Sequence, residues 1–337
     1  MKKSNLIYRN VDNIYFIIDA KIITSQTNGT IESFFKNNAS STFLVEVVNG
    51  RNHNNKENFE IVSTIKENLF SDVYRAKVDF TNELVAVKKI KKEKIIEEIK
   101  NKNMENKITD EDFQKLIEKF NKEIEFMEKC QCENSVAIYD YYDTESDFII
   151  IMELCDKTLF DLLIETQNGF SSEEIKNILL QLKTVFEKMN YYNIVHRDIK
   201  LNNILIKYLD QNKTQYKVLL SDYGISNQIN SITQKLNTYI GTRLLMAPEI
   251  LDSQPYTNKC DLWSLGIIIY QLKTKRLPYE GNVDKQILKN IDTLGQTVLD
   301  NFDDRDRLLK DLLSKLLVKD PEKRISWENY FTHPFFN

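Results

Sequence analysis

Three short runs rich in β-branched and aromatic residues, Phe59–Thr64, Asp72–Val78 and Leu84–Ile90, are separated by polar turns. Runs of this kind predict a meandering antiparallel sheet. The period then changes. Phe113, Leu116, Ile117, Phe120, Ile124 and Met127 recur at helical spacing with charged residues between them, which predicts a helix over about 110–129 with one apolar face. Thr109 and Asp112 have the spacing of a capping box at its start. Strand-like patterns return at Val136–Tyr142 and Phe148–Glu153, after which helical periodicity dominates, as in Ser172–Met189 and Asp306–Leu317. The expected architecture is α+β: a small sheet lobe with one long helix, then a larger, mainly helical lobe.

Upstream, Val11–Ile23 and Thr42–Val48 are also strand-like, yet some 50 residues seldom make a self-sufficient core. Residues 1–50 are therefore read as an extension of unknown role that packs on its neighbour or stays partly disordered. The polar stretch NGRNHNNKEN at Asn49–Asn58 reads as a break, with a linker over 51–58. The apolar run Ile14–Ile23 is interrupted by Asp19 and Lys21, too short and too charged to span a bilayer, and it lacks a signal-peptide cleavage pattern. The cytoplasm is the expected compartment, with the nucleus left open.

Composition narrows the function. The 337 residues are 42% hydrophobic and 28% charged, an ordinary globular mixture. A net charge of -4 provides no global positive field, and the lysines of Lys88–Lys94 are interleaved or followed by Glu93, Glu97 and Glu98. Neither a nucleic-acid partner nor a membrane partner is expected. Cys130, Cys132, Cys155 and Cys260 lack paired CxxC spacing and are expected to be free thiols.

The chemistry lies in motifs far apart in the chain. Val85-Ala86-Val87-Lys88 puts a lysine on the third predicted strand, which alone would be an ordinary strand end. His196-Arg197-Asp198-Ile199-Lys200-Leu201-Asn202-Asn203 gathers a carboxylate, a lysine and an amide. A carboxylate can orient a hydroxyl and accept its proton, and an amide oxygen can hold a hard cation. Asp222-Tyr223-Gly224 follows the strand-like run Tyr216–Leu220. Further on come Gly241-Thr242, Ala247-Pro248-Glu249, Asp261-Leu262-Trp263-Ser264-Leu265-Gly266 and Asp320-Pro321-Glu322-Lys323-Arg324. In this order and at these intervals, from about Phe59 to Phe336, the chain resembles the eukaryotic protein kinase family, serine/threonine type.

The resemblance implies a bilobal fold over 59–336, with an N-lobe of about 59–153 and a C-lobe of about 156–336, and a phosphotransferase using ATP and Mg²⁺ on protein Ser/Thr hydroxyls. Asp198 takes the role of catalytic base, Lys200 meets the transferring phosphoryl group, and Thr242 touches both. Asn203 and Asp222 hold the metal. Lys88 reaches the α- and β-phosphates and is held by Glu123, which Met127 places on the inward helix face; Glu125 is the nearest competitor. Adenine lies between Val73 and Ala86 on one side and Leu205 on the other, with Met152 as gatekeeper and Glu153–Cys155 as hinge backbone. Glu249 and Arg324 form a structural ion pair. Arg197 is the residue type that pairs with a phosphorylated activation segment. Thr238 is the favoured site, for an upstream kinase or autophosphorylation, with Tyr239 and Thr233 as alternatives.

The chain departs from the family's GxGxxGxV phosphate loop. At Lys66–Val73 the glycine positions read Lys66, Asn68 and Ser71, which the resemblance still counts among the ATP-binding residues, and no glycine occurs between Gly50 and Gly169. A missing Cβ lets backbone N–H groups approach phosphates, so weaker or less well placed ATP is expected. The competing reading is a pseudokinase-like scaffold with weak nucleotide binding. Leu201 and Leu245 replace a common proline and aromatic, and the stretch from Lys88 to Glu123 is long.

Overall fold

The computed structural model describes residues 59–79, 81–102, 110–223, 227–228, 242–293 and 302–337. They divide into two compact units. The first comprises the described residues up to Met104 together with Tyr139–Met152; the second spans the rest of the described chain, to Asn337. Thr233, Thr238 and Tyr239, and the cap residue Thr109, lie outside the described residues.

The first unit is built on β1 (Phe59–Glu67), β2 (Ser71–Val78), β3 (Leu84–Lys91), β4 (Ile138–Asp143) and β5 (Asp147–Met152), ordered β1-β2-β3-β5-β4. The β1-β2, β2-β3 and β3-β5 pairs are antiparallel. Alternation along these strands sorts the side chains by face. Phe59, Ala76, Val78, Val85, Val87, Ile149 and Ile151 form a buried apolar cluster on one face. The ladder pairs Val73 with Lys88 and Ala86 with Met152, so these four residues share the opposite face.

A helix, α1 (Lys92–Lys102), follows β3 directly. Sequence reading placed no helix there, because Ile95, Ile96 and Ile99 are too few among lysines and glutamates to register as a face. Its first residue anchors it. The buried Lys92 ammonium bonds the Asp143 carboxylate and the Thr144 carbonyl, and lies 4.5 Å from the centre of the Phe148 ring.

The second unit opens with α2 (Asp110–Lys129), which buries Leu116, Phe120, Ile124 and Met127 as the periodicity predicts. Next come β6 (Lys157–Thr158), α3 (Leu159–Glu165) and α4 (Ser172–Tyr191). Helix α4 starts at a capping box in which Ser171 and Glu174 satisfy each other's backbone N–H. After β7 (Ile194–Val195), strands β8 (Ile204–Tyr208) and β9 (Tyr216–Leu220) form a hairpin beside β6, while β10 (Asn227–Gln228) pairs with β7.

The helical core follows: α5 (Pro248–Leu251), α6 (Lys259–Thr274), α7 (Asp284–Asp292), α8 (Arg307–Leu316) and α9 (Trp327–Phe331). Helix α6 is buried almost all round, the mark of a central core helix. It passes so close to the end of α8 that a Cβ on Gly266 would lie 2.8 Å from Leu317 Cδ2. Arg324 forks onto the Glu249 carboxylate at 2.7 and 2.9 Å and covers the Trp263 ring at 5.2 Å. Both charges are buried.

Breaking a buried pair leaves one charge uncompensated. Glu249→Ala is expected to destabilise the protein by about 3–5 kcal/mol. Urea unfolding of both proteins checks this, and an unchanged midpoint rejects it.

Candidate active site

Strand β7 delivers a buried loop whose backbone is gripped from α6. The Asp261 carboxylate accepts the His196 N–H at 2.7 Å and the Arg197 N–H at 2.8 Å. Burial holds the Asp261 carboxyl above the usual range, against the opposing pull of the two amides. Arg197 is bent into the left-handed region at φ 68°, a conformation costing a non-glycine residue about 1–3 kcal/mol. Two bonds to a buried carboxylate offset that strain. The His196 ring reads both ways: Nε2–H donates to the Ser221 carbonyl at 3.2 Å, while Nδ1 faces the Asp198 N–H at 3.4 Å. This assigns the neutral Nε2–H tautomer.

Asp198 then stands in a converging set of donors. Thr242 donates its hydroxyl to Oδ1 at 2.8 Å, Asn203 Nδ2 donates to Oδ2 at 3.0 Å, and the Lys200 ammonium pairs with Oδ2. Lys200 Nζ is also 3.3 Å from the Thr242 hydroxyl. Asp198, Lys200, Thr242 and Asn203, predicted from separate motifs, are thus brought together within the second unit.

Asn203 works at three atoms. Its Nδ2 also donates to the Asp198 carbonyl at 2.9 Å, and its own carbonyl accepts both the N–H and the hydroxyl of Ser221 at 2.9 Å. These bonds extend the β8-β9 hairpin, in which Ile204 pairs with Leu220, and set the next residue, Asp222, beside Asn203. Asp222 is also left-handed, at φ 66°. With Nδ2 committed, Asn203 Oδ1 remains an acceptor, and Asp222 follows Ser221, the residue bonded to the Asn203 carbonyl. Two hard oxygen donors fit Mg²⁺, which takes few protein ligands and completes its shell with water and phosphate oxygens.

Tyr223, next along, is buried with its ring centre 5.0 Å from that of His196 and its hydroxyl against the Cys130 thiol just past α2. Burial pushes the Cys130 thiol up to about 12, so it stays neutral. All four cysteines are free.

Other predicted residues are placed as follows. Glu123 is 6% exposed on α2, whereas Glu125 is on the outer face in an ion pair with Lys129, which decides between them for the inward position. Lys88, Val73, Ala86 and Met152 share one sheet face in the first unit. Leu205 is half-buried on β8. The Glu153 N–H donates to the Ala137 carbonyl at 2.8 Å and its carboxylate pairs with Lys207, so that amide is already used. Cys155 is half-buried, and burial pushes its thiol up to about 12. Lys66 and Asn68 are exposed, and Ser71 half-buried, around the β1-β2 turn.

Sequence reasoning missed the grip of Asp261 on the loop. A carboxylate opening an otherwise apolar helix was the available signal.

Residues 59–336 match the family model described as protein kinase domain. The Arabidopsis thaliana serine/threonine-protein kinase TIO is 29% identical over 279 residues, 83% of this chain and 19% of that protein. Serine/threonine-protein kinase ATG1b of the same plant is 32% identical over 226 residues, 66% of this chain and 31% of that protein. Human serine/threonine-protein kinase Nek5 is 29% identical over 282 residues, 83% of this chain and 36% of that protein. The chain therefore spans about a fifth to a third of the length of these relatives. With the match over 59–336 and its sheet and helical units, the chain belongs to the protein kinase family and has the bilobal α+β protein kinase fold.

Proposed function

We propose that this chain is a serine/threonine protein kinase, transferring the γ-phosphoryl group of ATP to the hydroxyl of a protein serine or threonine. The observation that carries this reading is the Asp198 carboxylate with Lys200 and Thr242 on its oxygens and Asn203 behind it. An incoming hydroxyl replaces or shares the Thr242 bond to Oδ1, which orients its oxygen and offers a proton acceptor. Lys200, beside the same carboxylate, meets the negative charge of the transferring group. Asn203 Oδ1 and Asp222 would hold Mg²⁺, which when bound neutralises phosphate charge. Lys88 takes the α- and β-phosphates, the role the family pattern gives its strand lysine, and Glu123 is the helix glutamate of that pattern. Val73, Ala86, Met152, Leu205 and the Glu153–Cys155 backbone are the positions that the family pattern assigns to adenine. Catalysis of this kind is mainly positioning and charge neutralisation.

The domain in this reading covers 59–336, preceded by a linker at 51–58 and an extension at 1–50. Phosphorylation at Thr238 regulates it through Arg197, whose guanidinium stands 3.4 Å from the Tyr256 hydroxyl. The protein works in the cytoplasm. The glycine-free turn favours the scaffold alternative. Mg-ATP thermal shift followed by a phosphotransfer assay separates the two, because a scaffold transfers nothing.

Asp198→Asn keeps the size and loses the base. Phosphotransfer is expected to fall by about 10²–10⁴ with thermal stability and Mg-ATP binding nearly unchanged. Equal turnover in the two proteins refutes the assignment. Asp261→Ala leaves the His196 and Arg197 amides without their acceptor and is expected to cost roughly 2–5 kcal/mol. Asp261→Asn should restore part of that in a denaturant titration; if all three proteins unfold at one midpoint, the loop is not held this way.

A further inference from the structure

The β1-β2 turn is closed by side chains. Asp72, buried at the start of β2, bonds the Lys91 ammonium at 2.8 Å, the Tyr74 hydroxyl at 2.9 Å and the Asn68 N–H at 3.3 Å. Lys91 also reaches the Asn68 carbonyl at 3.2 Å, and its N–H donates to the Phe70 carbonyl at 2.8 Å. The Asn68 N–H is shared with the Ser71 carbonyl at 3.0 Å. None of residues 66–73 has a positive φ, so the turn needs no glycine to form.

This clamp has a chemical consequence. A backbone without Cβ atoms can bring its N–H groups onto a phosphate. Here every residue of the turn carries a Cβ, and the Asn68 amide is committed inside the clamp. The negative charge of a bound nucleotide then calls for another cation on that side of the sheet.

Register supplies one. Lys66 pairs with Val73 and Val73 pairs with Lys88, a row straight across β1, β2 and β3. Paired residues share a face, so Lys66 is on the side of Val73, Ala86 and Lys88, while Asp72, Tyr74 and Lys91 are on the other. Strand spacing puts the Lys66 and Lys88 Cα atoms about 10 Å apart. Their flexible four-carbon stems can converge on one triphosphate. Lys66 is exposed, and among the described residues its ammonium has no ion-pair partner.

We infer that Lys66 is a phosphate-binding residue of this kinase, its ammonium holding the β- or γ-phosphate of ATP in place of backbone N–H groups. The inference rests on the kinase reading above. It makes the lysine at the first glycine position the compensation for the missing glycines.

The test compares wild type, Lys66→Met and Lys66→Arg in the full chain. Mg-ATP binding is measured by calorimetry, adenosine by competition, and thermal stability without ligand. Lys66→Met should raise the Kd for Mg-ATP about tenfold or more, the loss of one charge-assisted contact. Adenosine affinity and the unliganded thermal midpoint should stay the same, Lys66→Arg should bind nearly as wild type, and the difference should shrink at high salt. If wild type binds Mg-ATP and Lys66→Met binds it equally well, or loses adenosine in the same proportion, the inference falls and the kinase reading stands. If wild type binds no Mg-ATP, the kinase reading falls and takes the inference with it.

Discussion

The geometry of the site depends on one buried carboxylate. Asp261 opens a helix that is core on nearly every side, and its two oxygens hold the consecutive amides of His196 and Arg197. A helix so enclosed cannot shift without disturbing the packing around it. The Glu249–Arg324 pair over Trp263, within α6, stiffens the same region. The loop therefore inherits its precision from the core, and the left-handed bend at Arg197 is sustained by bonds a mobile loop could not keep.

From that fixed loop, position passes along short polar links. Asn203 connects Asp198 to Asp222, the proposed base to a proposed metal ligand: its amide nitrogen braces Asp198, its carbonyl holds Ser221, and Asp222 is the next residue. Three functional groups are thus spaced by one side chain and one hairpin register. Such networks are costly when incomplete, since each buried polar atom left alone loses its full solvation. A replacement at this centre that leaves a buried partner unsatisfied is therefore costly, whereas one that keeps the size and the hydrogen-bonding atoms is tolerated structurally.

Much of this was legible in the sequence because periodicity and motif spacing are local. Strands β1 to β3, helix α2 and helix α4 appear within a few residues of the expected limits, and the spacing of Glu123 from Met127 picked the buried carboxylate over exposed Glu125. Tertiary pairings left no such trace. Asp72 and Lys91 are 19 positions apart on different strands, and nothing in either strand's alternation announces that they meet. Asp72 was visible only as a charge at a core-facing position of β2. Helix α1 was hidden by its charges, and what fixes it, Lys92 on Asp143, spans 51 positions. Nor does the sequence show that the Glu153 amide, in the expected hinge, is bonded to Ala137, a partner that only the folded chain supplies.

The glycine-free turn shows how one local loss changes the demands on neighbouring residues. Glycine gives a loop access to unusual φ values and close backbone approach, but loses more entropy on ordering than other residues. Replacing it here with Asn68, Ser71 and a buried Asp72 gives a turn that is ordered in advance. Lys91 ties that turn to β3, the strand that also carries Lys88. The turn and the predicted phosphate-binding lysine then move as one element, and adjustment to a ligand falls to long side chains on the open face of the sheet. A lysine stem is suited to that adjustment because its ammonium acts as a movable point charge, with none of the directional demand of a backbone N–H.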